Sequence, residues 1–246
     1  MMPGIITLKN VTKYFEEHGR KLLVLDNNNL SIRPGEFFVL VGPSGSGKST
    51  ILRIMSGLEK SYKGEVQLAP GLTQTDMSFV FQHFGLFPWL TVYENVELGL
   101  LSQGLSARVR QDIVMRELRQ FGLEKFAKSY PKGLSGGMRQ RVGIARALAT
   151  EPKIIFMDEP FSELDSFTAE ELRQELLQIW QARKPTIIMV THIVAEALEL
   201  ADRIGVLSPR PARIEKIVVN KLPRPRALRS KEFFALEDEL YKLIRP

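Results

Sequence analysis

The chain has 246 residues, of which 44% are hydrophobic and 25% charged, as expected for one compact domain or two subdomains. It contains no cysteine, which excludes disulfides, thiolate metal sites and cysteine nucleophiles, so redox chemistry is not expected. No apolar run approaches the roughly 18 residues that span a bilayer, and the N-terminus lacks a secretory pattern. We therefore expect a cytosolic protein.

The formal net charge of +6 is unevenly distributed. Residues 209–246 contain ten Lys and Arg against five Asp and Glu. Such a basic tail is typical of segments that contact anionic lipid headgroups or nucleic acid. The alternative is that the charges form the solvated face of a terminal helix.

Apolar β-type runs alternate with helical patterns along the chain, which predicts an α/β fold with a mostly parallel sheet covered by helices. Segments 5–9, 22–32 and 63–68 alternate with polar residues and predict an antiparallel β subdomain. The predicted central strands are 36–41, 77–81, 153–157, 186–190 and 203–207.

Residues 84–150 have helical patterns, including a capping box at Thr91 and Glu94 and a helix over 107–121. Residues 230–245 have apolar side chains largely at helical spacing and predict an amphipathic helix. We therefore expect a single domain over 1–246. Its predicted parts are an α/β core of 1–84 and 151–228, an inserted helical subdomain of 85–150, and a C-terminal helix over 229–246.

A glycine-rich motif, GPSGSGKS from Gly42 to Ser49, follows the strand at 36–41 and precedes a predicted helix over 49–56. Backbone without Cβ atoms can wrap a phosphate closely, and a lysine at this spacing reaches the outer phosphates. The hydroxyl of Ser49 can bind Mg²⁺. The motif predicts a nucleoside triphosphate site, because a simple connecting turn explains neither Lys48 nor Ser49.

Polar side chains end three other predicted strands. Asp158 lies where it can hold the Mg²⁺ of a nucleotide, and Glu159 can orient or deprotonate an attacking water. His192 can contact the outermost phosphate or hold that water, and the Gln82 amide oxygen can reach Mg²⁺ or the water. The alternative for each residue is a structural or solvated strand end.

A second phosphate-binding loop is predicted at Ser135-Gly136-Gly137, which precedes a helical stretch over 138–149. Backbone N–H groups, a hydroxyl and the positive helix end converge there on an anion site. Two such loops are excessive for one nucleotide, unless the second serves another chain in a head-to-tail dimer.

These motifs resemble those of the ATPase subunits of ABC transporters, which are P-loop NTPases with a RecA-like core. The resemblance implies a Walker A loop at Gly42–Thr50, a Q-loop at Gln82, a signature over Leu134–Gln140, a Walker B pair at Asp158 and Glu159, a D-loop at Asp165 and a switch residue at His192. It further implies that Tyr14 stacks on adenine. The implied catalytic residues are Lys48, Gln82, Glu159 and His192. The implied Mg²⁺ ligands are Ser49, Gln82 and Asp158. The implied ATP-contacting residues are Tyr14, Gly42, Pro43, Ser44, Gly45, Ser46, Gly47, Lys48, Ser49, Thr50, Ser135, Gly136, Gly137 and Asp165.

Within that family, four segments are similar to bacterial nitrate, sulfonate and taurine importers: 86–92, 134–141, 195–198 and 222–226. This similarity implies a membrane permease as partner, a solute-binding protein acting indirectly, a second ATPase chain in a homodimer, no nucleic acid, and a peripheral location on the cytoplasmic face of the cell membrane. The apolar segment after Gln82, which carries Trp89, resembles the permease-contacting surface. Its alternative is an internal core of the subdomain.

Two alternatives are a soluble ABC-type ATPase acting on nucleic acid or the ribosome, and a small-molecule kinase. The first usually has a coiled-coil insertion or two ATPase domains, and the second leaves the signature and His192 unexplained. Two residues also depart from the family pattern. Glu163 stands in the D-loop where a small residue is usual, and Ile193 follows His192 where aspartate is common. Glu163 is expected to alter dimer contacts. Ile193 is expected to loosen the contacts that hold the switch loop.

Overall fold

The computed structural model of the protein describes residues 4–17 and 19–244. Residues 245–246, at the end of the predicted C-terminal helix, lie outside the described residues, as do residues 1–3. The chain forms two compact units, Met1–Gln74 with Lys184–Pro246 and Thr75–Arg183. The subdomain boundaries predicted after residues 84, 150 and 228 remain predictions.

The first unit contains the predicted antiparallel sheet. Its strands are β1 (Ile6–Glu17), β2 (Arg20–Ile32) and β4 (Lys63–Leu68), in the order β2-β1-β4. β1 is 12 residues long, although the sequence predicts only 5–9. Its register shifts between Leu8 and Val11, and Asn10 has a φ of 52°. Such a bulge lets a strand continue past a break in the alternating pattern.

The first unit also contains parallel strands. They are β3 (Phe37–Val41), β7 (Thr186–Thr191) and β8 (Arg203–Leu207), and β3 pairs with the other two. All residues of β3 and β7 are buried, as continuous apolar runs predict. A further strand, β9 (Ile214–Val219), pairs antiparallel with β8 and is absent from the prediction. Glu215 and Lys216 interrupt its apolar residues, so β9 lacks the uninterrupted apolar run of the predicted central strands.

The described residues of the first unit form three α-helices: α1 (Lys48–Met55), α6 (Val194–Leu200) and α7 (Lys231–Ile244). α7 buries Phe233 and Leu240, in agreement with its predicted amphipathic pattern. Gly57 lies just beyond the end of α1 with a φ of 76°, the left-handed conformation that glycine adopts without strain.

Two arginines of the basic tail cap the C-terminus of α6. Arg224 donates to the carbonyl of Leu200 at 2.6 Å, and Arg226 donates to the carbonyls of Glu199 and Ala201 at 2.8 and 2.7 Å. Burial is the main cause that lowers the pKa of Arg226 to about 10. These two charges of the tail therefore have a structural role.

The second unit contains two parallel strands, β5 (Met77–Val80) and β6 (Ile154–Asp158), and four α-helices. The helices are α2 (Val92–Glu97), α3 (Ala107–Gln120), α4 (Gly136–Ala149) and α5 (Ser166–Arg183). Short 3-10 helices occur at Leu98–Gln103, Glu124–Phe126 and Pro131–Gly133. Another 3-10 turn, Gln74–Asp76, precedes β5. The predicted capping box is present, with Thr91 as the N-cap of α2. Among the described residues, no helix has the length and hydropathy needed to cross a bilayer.

Asn95 of α2 fastens the segment that precedes this helix. Its amide nitrogen donates to the carbonyls of Phe87, Leu90 and Thr91 at 3.1, 3.0 and 2.9 Å, and its oxygen accepts from the N–H of Phe87 at 2.8 Å. The side chain is fully buried. One residue thus satisfies four backbone groups of the loop.

Replacing Asn95 with alanine is expected to lower the free energy of unfolding by about 2–4 kcal/mol, because buried backbone groups lose their partners. Urea denaturation measures this change. Gln120→Ala, on the exposed end of α3, serves as the control and is expected to change stability by less than about 0.5 kcal/mol. An Asn95→Ala variant as stable as the control would contradict the assignment.

Candidate nucleotide site

The glycine loop of residues 42–47 connects buried β3 to α1, as predicted. Gly47 is the N-cap of α1 with a φ of 100°, and Gly45 has a φ of 73°. A Cβ on Gly47 would lie 3.0 Å from side-chain carbons of Val24 and Leu25, and a Cβ on Gly42 would lie 3.0 Å from Leu207. Glycine is therefore required both for conformation and for space.

The lysine of the loop folds back onto it. The Lys48 ammonium donates to the carbonyls of Gly42 and Pro43 at 3.1 and 2.9 Å, and the side chain is almost fully buried. Beside it, the hydroxyl of Ser46 is buried without a hydrogen-bond partner. No acidic residue lies in the first turn of α1. A glycine cradle with a cation, an unsatisfied hydroxyl and a positive helix end fits an anion such as a triphosphate.

Two more predicted residues belong to the unit that carries this loop. The register pairs Val41 with Thr191, so Gly42 and His192 follow at the same edge of adjacent parallel strands. Tyr14 pairs with Leu23, the residue before Val24, whose side chain limits the space at Gly47. Tyr14 is 41% exposed, which leaves part of its surface available for stacking.

The turn after His192 is held by Thr191. The Thr191 hydroxyl donates to the carboxylate of Glu196 at 2.6 Å and accepts from the N–H of Ile193 at 3.1 Å. These bonds fix the turn although Ile193 stands where an aspartate is common in the similar family. His192 itself is exposed at the strand edge.

The second unit carries the predicted carboxylates. Asp158 is the buried last residue of β6, and Glu159 follows with a φ of 44°, which is unusual for a residue other than glycine. The register pairs Val80 with Met157, so Gln82 and Glu159 are matched two residues beyond this pair. The structure therefore brings these strand ends together at one edge.

Contacts in the second unit also connect Gln82 to the loop after Glu159. The Gln82 amide nitrogen donates to the Ser162 hydroxyl at 3.4 Å, and that hydroxyl donates to the carbonyl of Glu159 at 3.0 Å. Alongside, His83 and Glu163 approach to 3.5 Å. The unusual Glu163 thus has a neighbour within its own unit. Neither contact was predicted from the sequence.

The second predicted anion loop begins α4. Ser135 is the N-cap, and its hydroxyl accepts from the N–H of Met138 at 3.2 Å, so the helix starts two residues earlier than predicted. A Cβ on Gly137 would lie 2.4 Å from the Thr168 methyl group. Asp165 accepts from the Thr168 N–H at 3.1 Å. Hydrogen bonding to Thr168 lowers the pKa of Asp165, which keeps it ionised.

Comparison with known proteins identifies the family. The family model for ABC transporters matches residues 25–162. The chain is 44% identical to an uncharacterized ABC transporter ATP-binding protein of Methanocaldococcus jannaschii, over 98% of this chain and 91% of that protein. The chain belongs to the ABC transporter family.

Two other relatives of this ABC protein have names that state a function. The chain is 42% identical to the aliphatic sulfonates import ATP-binding protein of Bacillus subtilis, over 96% of this chain and 92% of that protein. It is 41% identical to the nitrate import ATP-binding protein of Synechocystis, over 98% and 95% of the two chains. Among solved structures, the dimeric cassette MJ0796 with ADP and Pi has a TM-score of 0.78 and 38% identity, over 88% of this chain and 99% of that one.

Family membership confirms the fold class and the ATPase class that the motifs predict. The assignment of individual ATP-contacting and catalytic residues stays a prediction. Arg210 was not predicted to belong to the site. Two nitrogens of its guanidinium donate to the Gly45 carbonyl of the glycine loop, Nη2 at 3.0 Å and Nε at 3.3 Å. An arginine in a basic tail gives no signal of so distant a contact.

Proposed function

We propose that this ABC ATPase is the energising subunit of an importer for a small polar solute such as nitrate, a sulfonate or taurine. The observation that carries the import role is the likeness, over more than nine tenths of both chains, to proteins named for sulfonate and nitrate import. The glycine cradle with buried Lys48 supports ATP as the energy source.

Mg²⁺ is proposed as the cofactor, since magnesium prefers oxygen ligands and commonly takes only one or two from protein beside the phosphates. The Ser49 hydroxyl, the Asp158 carboxylate and the Gln82 amide oxygen are of the required chemistry. When bound, Mg²⁺ would neutralise charge on the phosphates.

The proposed mechanism assigns one role to each predicted catalytic residue. Lys48 holds the outer phosphates, and Glu159 orients or deprotonates the water that attacks in line. His192 and Gln82 hold the γ-phosphate and the water in register. The remaining loop residues, Gly42 to Thr50, present backbone N–H groups, and Tyr14 stacks on the base.

Removing the Ser49 hydroxyl is expected to weaken Mg²⁺ binding. In Ser49→Ala, the Mg²⁺ concentration for half-maximal ATP hydrolysis should rise by about 10- to 100-fold, the usual effect of disturbing a metal site. Titration of phosphate release with Mg²⁺ measures the shift. Ser56→Ala, at the other end of α1, is the control. An unchanged titration in Ser49→Ala would remove Ser49 from the ligand set.

A second copy of the chain is proposed to complete each nucleotide site. Ser135, Gly136, Gly137 and Asp165 would then contact ATP held by the partner chain, which explains two anion loops in one sequence. The solved cassette similar to this chain is described as dimeric, which supports the proposal.

The partners proposed outside the ATPase pair are an integral-membrane permease and, through it, an extracytoplasmic solute-binding protein. This places the chain peripherally on the cytoplasmic face of the cell membrane. Trp89 is 68% exposed, so the alternative interpretation as subdomain core is wrong. An exposed indole beside Phe87 is a typical protein-binding anchor.

Co-purification tests this function. A tagged Glu159→Gln form is incubated with ATP to trap a closed dimer, host membranes are solubilised gently, and the bound proteins are identified by mass spectrometry. Recovery of a multi-span permease is expected. Recovery of nucleic acid or ribosomes without a membrane protein would favour the soluble ABC-type ATPase instead.

A further inference from the structure

The turn at Phe84–Gly85 connects the Q-loop to the exposed aromatic residues Phe87 and Trp89. Phe84 and Gly85 both have left-handed conformations, with φ values of 60° and 57°. A phenylalanine in this region is strained, and such a residue persists only when surrounding contacts hold it.

The contacts that hold this turn come from one face of α4. The Arg146 guanidinium donates to the carbonyls of Gly85 and Phe84 at 2.7 and 3.3 Å. The Arg139 guanidinium lies over the Phe84 ring, 5.1 Å from its centroid. Between them, Gly143 leaves space, because a Cβ there would lie 3.2 Å from the Phe84 carbonyl oxygen. Residues 139, 143 and 146 are spaced to share a helix face.

Other contacts fix the rest of the segment, residues 86–91. Asn95 satisfies backbone groups of Phe87, Leu90 and Thr91, and the rings of Phe87 and Trp89 lie 5.4 Å apart. The turn is therefore held by α4 and the end of the segment by α2. Partial burial of Arg146 lowers the pKa of its guanidinium.

We infer that Arg146 is a positioning residue that ties residues 84–91 to α4, so that movement of α4 is carried to the aromatic side chains of Phe87 and Trp89. This inference rests on the proposed function, in which Ser135 at the start of α4 contacts the partner's ATP and Trp89 faces the permease. A packed helix and a hydrogen-bonded turn form a continuous physical link between these two ends.

A spin label tests the link in the ATPase chain itself. Because the chain has no cysteine, Trp89→Cys provides a single attachment point. The electron paramagnetic resonance spectrum of the label reports how freely it moves. Adding Arg146→Met should shift this spectrum toward the component of a mobile label. Arg110→Met is the control, since Arg110 also donates to a backbone carbonyl, that of Leu105, and in addition to the carboxylate of Glu97. It should leave the spectrum unchanged. If Arg146→Met does not fold, Arg146→Lys, which loses the fork of donors, should give a smaller shift in the same direction.

Coupling is measured with Trp89 intact in the complete transporter. Arg146→Met should keep the ATP hydrolysis of the isolated chain but lower the solute transported per ATP by about 2- to 30-fold, the span of coupling effects in packed networks. An unchanged label spectrum, or a mobile label with normal transport per ATP, would overturn the inference. If the wild-type chain binds no permease, the proposed function fails, while the label still decides whether Arg146 holds the segment.

Discussion

Replacing Glu159 with glutamine is expected to slow ATP hydrolysis by about 100- to 10,000-fold while leaving ATP binding intact, because a positioned general base typically supplies this factor. Glu159 follows buried β6 and has a left-handed φ of 44°. Its backbone carbonyl accepts a hydrogen bond from the Ser162 hydroxyl at 3.0 Å. Glutamine keeps the shape of the side chain and one acceptor oxygen, but it cannot take the proton. Phosphate release and fluorescent-nucleotide binding measure the two effects separately.

Glu170→Gln is the matched control, since it makes the same chemical change on the exposed side of α5. It should hydrolyse ATP at the wild-type rate. If Glu159→Gln also turns over normally, Glu159 is not the catalytic base. If it loses ATP binding too, the residue acts in binding rather than in proton transfer.

Replacing Ser135 with arginine is expected to reduce ATP hydrolysis by about 10- to 100-fold, the loss that follows when a contact to a charged phosphate is removed. Ser135 is exposed at the start of α4, where a long side chain would occupy the predicted place of the partner's ATP. The substitution also removes an N-cap, which costs about 1 kcal/mol of stability. Phosphate release and urea denaturation separate the two consequences.

Ser106→Arg controls for the cap. Ser106 is the N-cap of α3, a helix of the same 14-residue length in the same unit, and its hydroxyl accepts from Val109. This variant should lose similar stability but keep hydrolysis. Equal activities for the two arginine variants would leave the head-to-tail dimer without support.

Mixing two inactive variants tests the shared site further. A pair of Lys48→Ala and Ser135→Arg chains contains one site built from two intact halves, provided that each site takes its loop from one chain and its signature from the other. We therefore expect mixing to restore part of the hydrolysis that each variant lacks. If no mixing ratio restores hydrolysis, the head-to-tail dimer with shared sites is contradicted.

Much of the fold could be predicted because buried parallel strands are continuous apolar runs. Strand β8 has the predicted bounds, Arg203–Leu207. Strand β4 of the antiparallel sheet also has its predicted bounds, 63–68, although it is not a buried run. Strand β9 was missed because Glu215 and Lys216 interrupt its apolar residues, and only one of its six residues is buried. The extension of β1 was missed because a bulge breaks its alternation.

The site was predictable where chemistry demands particular residues within a short stretch, as in the glycine loop. The residues that support the site are different in kind. Arg210 contacts Gly45 over 165 positions, and Arg146 contacts Gly85 over 61 positions. Such pairs depend on how the chain folds back, and no local pattern distinguishes these arginines from solvated ones.

Phosphate release and solute uptake are to be measured in the same vesicles, which contain the co-purified permease and the ATPase chain. Labelled nitrate, taurine and an alkanesulfonate are offered in turn with the solute-binding protein. We expect the wild-type complex to accumulate one of these solutes while releasing phosphate, and the Glu159→Gln complex to do neither. Solute uptake that is unaffected by Glu159→Gln would contradict the claim that hydrolysis by this chain drives transport.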